Sequence, residues 1–121
     1  MSIPMTIADD SALSRKTIRK ALPVDWDITL HEAKNGEEAL HAVSEGLADV
    51  LFLDLQMPVM DGFEVLRVLR KNKSKSLVIV ISADIQPESQ AQVISLGALR
   101  FLKKPLNADQ LRVTLREIGL L

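Results

Sequence analysis

Five polar residues in this sequence stand at the ends of apolar runs, and together they describe a chemistry. Asp9 and Asp10 follow Met5-Thr6-Ile7-Ala8, and Asp54 follows Val50-Leu51-Phe52-Leu53. Ser82 follows Leu77-Val78-Ile79-Val80-Ile81, and Lys104 follows Arg100-Phe101-Leu102-Lys103. If these runs are strands of one sheet, three carboxylates, an ammonium and a hydroxyl crowd one rim. Carboxylates sharing a small cleft raise the cost of ionising one another. A hard cation relieves that cost. Oxygen ligands without His or Cys suit magnesium, which keeps several waters and leaves room for a phosphate. A carboxylate nucleophile with positive groups around the transferred oxygens is what phosphoryl transfer requires.

The elements that must position these groups are legible in outline. Val50-Leu51-Phe52-Leu53 and Leu77-Val78-Ile79-Val80-Ile81 are continuous apolar runs, the pattern of central parallel strands buried on both faces. Trp26 to Ala33 alternates, with Trp26, Ile28 and Leu30 on one side and Asp27, Thr29 and His31 on the other, which predicts a half-buried edge strand. A helix is expected from Ser11 to Leu22, with Ile18, Ala21 and Leu22 inward and Pro23 as its stop. Asn35-Gly36-Glu37-Glu38 opens a second helix, with Ala39, Leu40 and Val43 as its inner stripe and Gly46 at its end. Asp61-Gly62-Phe63-Glu64 repeats the capping pattern before a stripe of Phe63, Leu66 and Leu69. Pro87 to Leu96 is a more polar helix closed by Gly97, and Asn107 caps a last helix carrying Leu111, Leu115 and Ile118.

Strand and helix therefore alternate five times, which predicts an α/β fold: a parallel sheet between two layers of helices, joined by right-handed crossovers. Of the two common doubly wound orders, the five-stranded flavodoxin-like order 2-1-3-4-5 fits the strand count. In that order the first, third, fourth and fifth strands are adjacent, so their polar ends meet. Ligands in open α/β sheets bind outside the carboxyl ends of the strands.

Composition narrows the alternatives. The 121 residues are expected to form one domain over 1–121, with 47% apolar and 26% charged residues, as in ordinary globular proteins. Cysteine is absent, which excludes disulfides, a thiol nucleophile and zinc-thiolate sites. No apolar run approaches the roughly 20 residues that cross a bilayer. Met1-Ser2-Ile3-Pro4 lacks the basic and apolar regions of a signal peptide, so a cytoplasmic location and no membrane partner are expected. A net charge of −1 argues against nucleic acid as a direct partner, and Lys71-Asn72-Lys73-Ser74-Lys75 reads as a solvated loop. His31 and His41 have no partner ligand at useful spacing, and Met57 and Met60 read as loop packing. Gly36, Gly46, Gly62, Gly97 and Gly119 make no glycine-rich phosphate loop, which sets aside a dinucleotide-binding fold. An aspartate-nucleophile phosphohydrolase of the haloacid-dehalogenase type needs a second Asp two residues after the nucleophile. Here that position is Gln56, which cannot serve as the proton donor.

The motifs in this order, Asp-Asp, then Asp-x-x-Met-Pro-x-x-Asp-Gly, then Ser-Ala, then Lys-Pro, make the chain resemble the receiver domain of two-component response regulators from its first strand to its last helix. The resemblance implies that Asp54 is the phosphoacceptor. It implies that Asp9, Asp10, Asp54 and the main-chain carbonyl of Gln56 hold magnesium, and that Lys104 pairs with Asp54 and then with the phosphoryl group. Ser82 takes the position of the switch hydroxyl, and Phe101 that of the aromatic switch, which is more often Tyr. Pro105 follows the lysine, often through a cis bond. Gln56 and Asp84 occupy the variable positions that tune phosphate lifetime. The partners implied are a sensor histidine kinase or histidine phosphotransfer protein upstream, and a protein target or fused output domain downstream. The domain would catalyse only its own phosphorylation and dephosphorylation, switching the surface of the fourth helix, fifth strand and fifth helix. A receiver-like interaction module that never takes phosphate is the alternative. The apolar end Ile118-Gly119-Leu120-Leu121 hints at a continuation, and a dimer through the last helix face is a further expectation.

Overall fold

The structure is a computed structural model and describes residues 2–121. Five strands, β1 (Ile3–Ala8), β2 (Ile28–Ala33), β3 (Val50–Leu53), β4 (Leu77–Ser82) and β5 (Arg100–Lys103), alternate with five helices. The helices are α1 (Ala12–Ala21), α2 (Gly36–Ser44), α3 (Gly62–Lys71), α4 (Pro87–Ser95) and α5 (Ala108–Glu117). The strands form one parallel sheet of order β2-β1-β3-β4-β5, the flavodoxin-like order expected from the alternation.

Strand geometry explains the continuous apolar runs. Successive side chains point to opposite faces of a sheet, so a strand covered on both sides must be apolar throughout. Val50 and Phe52 pack with Met5, Ile7, Ile79, Ile81 and Leu102 beneath Ile18 of α1 and Leu111 and Leu115 of α5. Leu51 and Leu53 pack with Val78 and Val80 against Ala39 and Ala42 of α2, Val65 and Leu66 of α3 and Val93 of α4. All of β3 is buried. β2 lies at the sheet edge with only Ala33 fully buried, as its alternation predicts.

Three expectations need correction. Trp26 is not in β2: its N–H reaches the Pro23 carbonyl at 3.3 Å in the preceding turn, and the strand begins at Ile28, where pairing with Ile3 starts. The turn claims Trp26 because Pro23 presets its first bend. In α2 the deeply buried residues are Gly36, Ala39 and Ala42, while Leu40 and Val43 are only partly buried. In α3 Val65 joins Leu66 and Leu69 in the core, whereas Phe63 packs at its margin. Small residues win the inner face of α2 because that helix sits close to the sheet and to the loop after β3.

The starts of α2, α3 and α5 follow the caps read in the sequence; at α1, Ser11, expected as the first helical residue, is itself the cap. The side chains of Ser11, Asn35, Asp61 and Asn107 accept the N–H of Ser14, Glu38, Glu64 and Gln110. Helix α4 differs. Gln86 makes no side-chain cap, Pro87 stands at its start, and only Ser89 and Val93 are buried. Among the described residues no helix is long and apolar enough to cross a membrane. The Lys104-Pro105 bond is cis.

Two glycines hold the loop after β3 in place. The Gly62 N–H donates to the Leu55 carbonyl at 3.0 Å, and the Gly36 N–H donates to the Met60 carbonyl at 3.0 Å. A Cβ at Gly62 would lie 2.3 Å from the Asp54 carbonyl oxygen and 2.9 Å from Leu55 Cα. One at Gly36 would lie 2.4 Å from the Met60 carbonyl oxygen. The obstacles are backbone atoms, so Gly62→Ala must displace the Asp54-Leu55 peptide. That overpacking is expected to cost about 1–3 kcal/mol, read as a lower urea midpoint at unchanged m-value; a variant as stable as the native protein would refute the close approach.

Candidate functional site

The strand order sets the site. Asp9 stands one residue past β1, Asp54 one past β3, Ser82 at the last position of β4 and Lys104 one past β5. Because β1, β3, β4 and β5 are neighbours in that order, these residues meet along one rim. Ladder-like bonds continue beyond the strands and fix the emerging chain. The Asp9 N–H donates to the Ala33 carbonyl at 3.0 Å, Asp54 N–H to Ala8 at 2.9 Å and Lys104 N–H to Ser82 at 3.0 Å.

Asp9, Asp10 and Asp54 each bring a carboxylate oxygen within 4.8 Å of the others. Asp9 and Asp54 are buried, at 1% and 6% exposure, while Asp10 is exposed at the mouth. Lys104 Nζ donates to Asp9 Oδ2 at 2.8 Å and to Asp54 Oδ2 at 3.1 Å, and it reaches Ser14 Oγ at 3.3 Å. The ammonium thus bridges two buried carboxylates, and its shorter bond is to Asp9 rather than to Asp54. Asp54 Oδ1 accepts the Leu55 N–H at 2.8 Å, and Asp9 Oδ1 accepts the Ser11 N–H at 2.9 Å.

These contacts set the charge states. Burial pushes the Asp54 carboxyl above its ordinary value; Lys104 and the Leu55 amide pull against this, and the Asp9 charge adds to it. Burial alone would lower Lys104. The hydrogen bond that Lys104 donates to Asp9 and the charge of Asp54 outweigh it and hold the ammonium above its usual value. The lysine is therefore charged across the physiological range, while burial leaves the negative charge of Asp54 only partly compensated. An acid site with such a deficit suits a further cation. The donor set is oxygen-only, with no His or Cys in the group, which fits a hard ion such as magnesium.

The remaining expected residues are disposed around this centre. Ser82 is fully buried, and its Oγ accepts the Asp84 N–H at 3.1 Å. Gln56 and Asp84 line one cleft of about 520 Å³ with Asp10 and Asp61. The Asp84 carboxylate turns toward α4: it accepts the Ser89 hydroxyl at 2.7 Å and the Gln86 N–H at 3.0 Å, which hold it below its ordinary value. Asp84 thus supplies α4 with the anchoring that Gln86 does not. Phe101 is half-buried in β5 and packs against the core layer beneath α2, α3 and α4. His31 and His41 line another cleft with Glu37 and Glu38, yet among the described residues only Asp9, Asp10 and Asp54 gather as three ligands.

The sequence reading missed Arg15, Glu32, Ser14 and Ser89. Arg15 is buried at 9% exposure; its Nη1 donates to the Asp9 carbonyl at 2.7 Å and its Nε to Glu32 Oε1 at 2.7 Å. A signal for it existed, since Arg15 precedes Ile18 by one helical turn and so shares the inner face of α1. Ser89 likewise sits on the inner face of α4, one turn before Val93.

The family model of the response regulator receiver domain matches residues 5–116. The chain is 32% identical over 115 residues to the transcriptional regulatory protein ZraR of Klebsiella oxytoca, covering 95% of this chain and 26% of that protein. It is 38% identical over 104 residues to protein-glutamate methylesterase/protein-glutamine glutaminase 3 of Geobacter sulfurreducens, covering 85% of this chain and 28% of the relative. The chain therefore spans about a quarter of the length of these curated relatives. Among solved structures, the REC domain of AraT, a response regulator from Geobacillus stearothermophilus, superposes with a TM-score of 0.83 at 32% identity, covering 98% of this chain and 93% of that one.

The raised Asp54 carboxyl has a stability consequence. A carboxyl whose folded value lies above its unfolded value of 3.8 weakens the fold once ionised. Asp54→Asn is therefore expected to unfold at a higher urea concentration than the native protein at pH 7 in metal-free buffer. The advantage should shrink as pH falls through the raised folded value toward 3.8 and disappear below it. Urea unfolding of both proteins between pH 3 and 7 checks this; an Asn variant less stable at pH 7 would reverse the sign assigned to burial.

Proposed function

The chain belongs to the response regulator receiver domain family, and from that premise we propose that it accepts a phosphoryl group on Asp54 from a phosphohistidine. The observation that carries the proposal is the convergence of Asp9, Asp10, Asp54 and Lys104 on one rim. In the transfer an Asp54 carboxylate oxygen bonds to phosphorus as the bond from phosphorus to the donor imidazole nitrogen breaks, and that nitrogen keeps the electron pair. Lys104, already 3.1 Å from Asp54 Oδ2, moves from carboxylate to phosphoryl oxygen and retains Asp9 as its second partner. Asp9, Asp10, Asp54 and the main-chain carbonyl of Gln56 would hold magnesium, which when bound neutralises charge on the phosphoryl oxygens.

The readout follows from local hydrogen bonding. The aspartyl phosphate adds charge and acceptor oxygens beside Ser82. Turning toward them, the Ser82 hydroxyl gives up the Asp84 N–H it holds at 3.1 Å. Asp84 is tied through Ser89 to the first turn of α4, so the exchange loosens the helix with the fewest buried residues. Phe101 repacks into the vacated space; it carries no hydroxyl, so its part is packing alone. The changed surface of α4, β5 and α5 is then read by a protein target or a fused output domain. Hydrolysis of the acyl phosphate resets the switch, with Gln56 and Asp84 flanking the path of the attacking water. The phosphodonor is a sensor histidine kinase or a histidine phosphotransfer protein.

Purified chain incubated with acetyl phosphate is expected to gain one phosphoryl group by intact mass, only with magnesium present, and Asp54→Ala is expected to gain none. No gain in the native protein at any magnesium concentration would favour a phosphate-independent interaction module.

A further inference from the structure

We propose that Arg15 is a positioning residue for the acid cluster: by holding the Asp9 carbonyl it turns the Asp9-Asp10 pair so that both carboxylates face Asp54. The inference rests on reading these carboxylates as a divalent-cation site.

The need for such a device follows from strand geometry. Successive side chains of a strand point to opposite faces, yet Asp9 and Asp10 are consecutive and both bring an oxygen to the same cluster within 4.8 Å. The chain must leave strand geometry between them. The Asp9 N–H makes the last ladder-like bond, to Ala33 at 3.0 Å. Beyond it the peptide joining Asp9 to Asp10 turns out of the ladder, and the Asp9 carbonyl, on a residue 1% exposed, needs another donor. Arg15 Nη1 supplies it at 2.7 Å.

Arg15 is itself held. Its Nε donates to Glu32 Oε1 at 2.7 Å, while Arg19 Nη1 donates to Glu32 Oε2 at 2.7 Å. Glu32 precedes Ala33, the residue whose carbonyl takes the Asp9 N–H. Both ends of the Asp9 main chain are thus referred to the same stretch of β2, one directly and one through the guanidinium. With the Ser11 N–H on Oδ1 and Lys104 on Oδ2, all the polar atoms of Asp9 are fixed. A lysine at position 15 would keep the charge. It lacks the planar fork that serves a carbonyl and a carboxylate together.

The test is titration of the full chain with manganese(II) alone, followed by electron paramagnetic resonance, with circular dichroism to establish folding. Arg15→Lys and Arg15→Met are expected to bind manganese about tenfold or more weakly, the loss typical when a supporting partner of a metal ligand is removed. Glu32→Gln should weaken it less. Ile18→Ala, which loosens the packing of the same helix without touching Asp9, should keep the native affinity. Native affinity in folded Arg15→Lys and Glu32→Gln would overturn the proposal even if Arg15→Met fails to fold, leaving the Arg15–Glu32 pair as a tie between α1 and β2. An equal loss in Ile18→Ala would overturn it as well, since general loosening of α1 would then account for the effect. Absence of manganese binding by the native protein would instead remove the cation-site reading, and this inference with it.

Discussion

Like charges held together in a buried place are the constraint on which the rest of this structure depends. Asp9 and Asp54 are almost wholly removed from water and lie beside Asp10. Left alone, such a group would protonate or draw in water. Lys104 opposes this by bridging Asp9 and Asp54, and it does so from a different strand end than either. The ammonium does not fully compensate the pair, since burial still holds Asp54 above its ordinary value. The site is thereby tuned between two limits. It is compensated enough to fold with its acids in place, and acidic enough to favour a hard cation and the chemistry that accompanies one.

Holding the charges apart from the helices is the work of backbone geometry. Gly36 and Gly62 let the loop after β3 pass so near its neighbours that side chains have no room. The Gly62 contact falls on the peptide of Asp54 itself, so the start of α3 and the position of the acid are one structural fact. On the other side of the cleft, Arg15 and Glu32 connect α1 and the edge strand to the Asp9 main chain. The acid cluster is therefore supported from both layers of helices.

The side of the molecule that carries α4 is built differently. Helix α4 buries little, lacks a cap from Gln86, and is tied to the loop after β4 by the Asp84–Ser89 bond. The Asp84 N–H is in turn held by Ser82. A short chain of hydrogen bonds thus runs from Ser82 through Asp84 to Ser89, on the helix with the fewest buried residues. In relatives such as ZraR and the methylesterase, this stretch is about a quarter of a longer chain.

Much of this was present in the sequence. Continuous apolar runs and five-fold alternation specify a doubly wound parallel sheet, because only strands covered on both faces carry such runs. The polar residues at the run ends, Asp9, Asp10, Asp54, Ser82 and Lys104, follow directly, since strand order brings those ends together. What the tertiary structure alone decided is how these groups are paired and held. The preference of Lys104 for Asp9 over Asp54 joins residues far apart in the chain, and the grip of Arg15 falls on a main-chain carbonyl that no side-chain pattern reveals. Ala42 and Val65 took core places expected for larger neighbours, and the turn after Pro23 claimed Trp26, because close packing and turn bonds override periodicity. Periodicity reports which face of an element is buried; distances between elements, and so the partners of each polar group, exist only once the sheet has closed its helices around it.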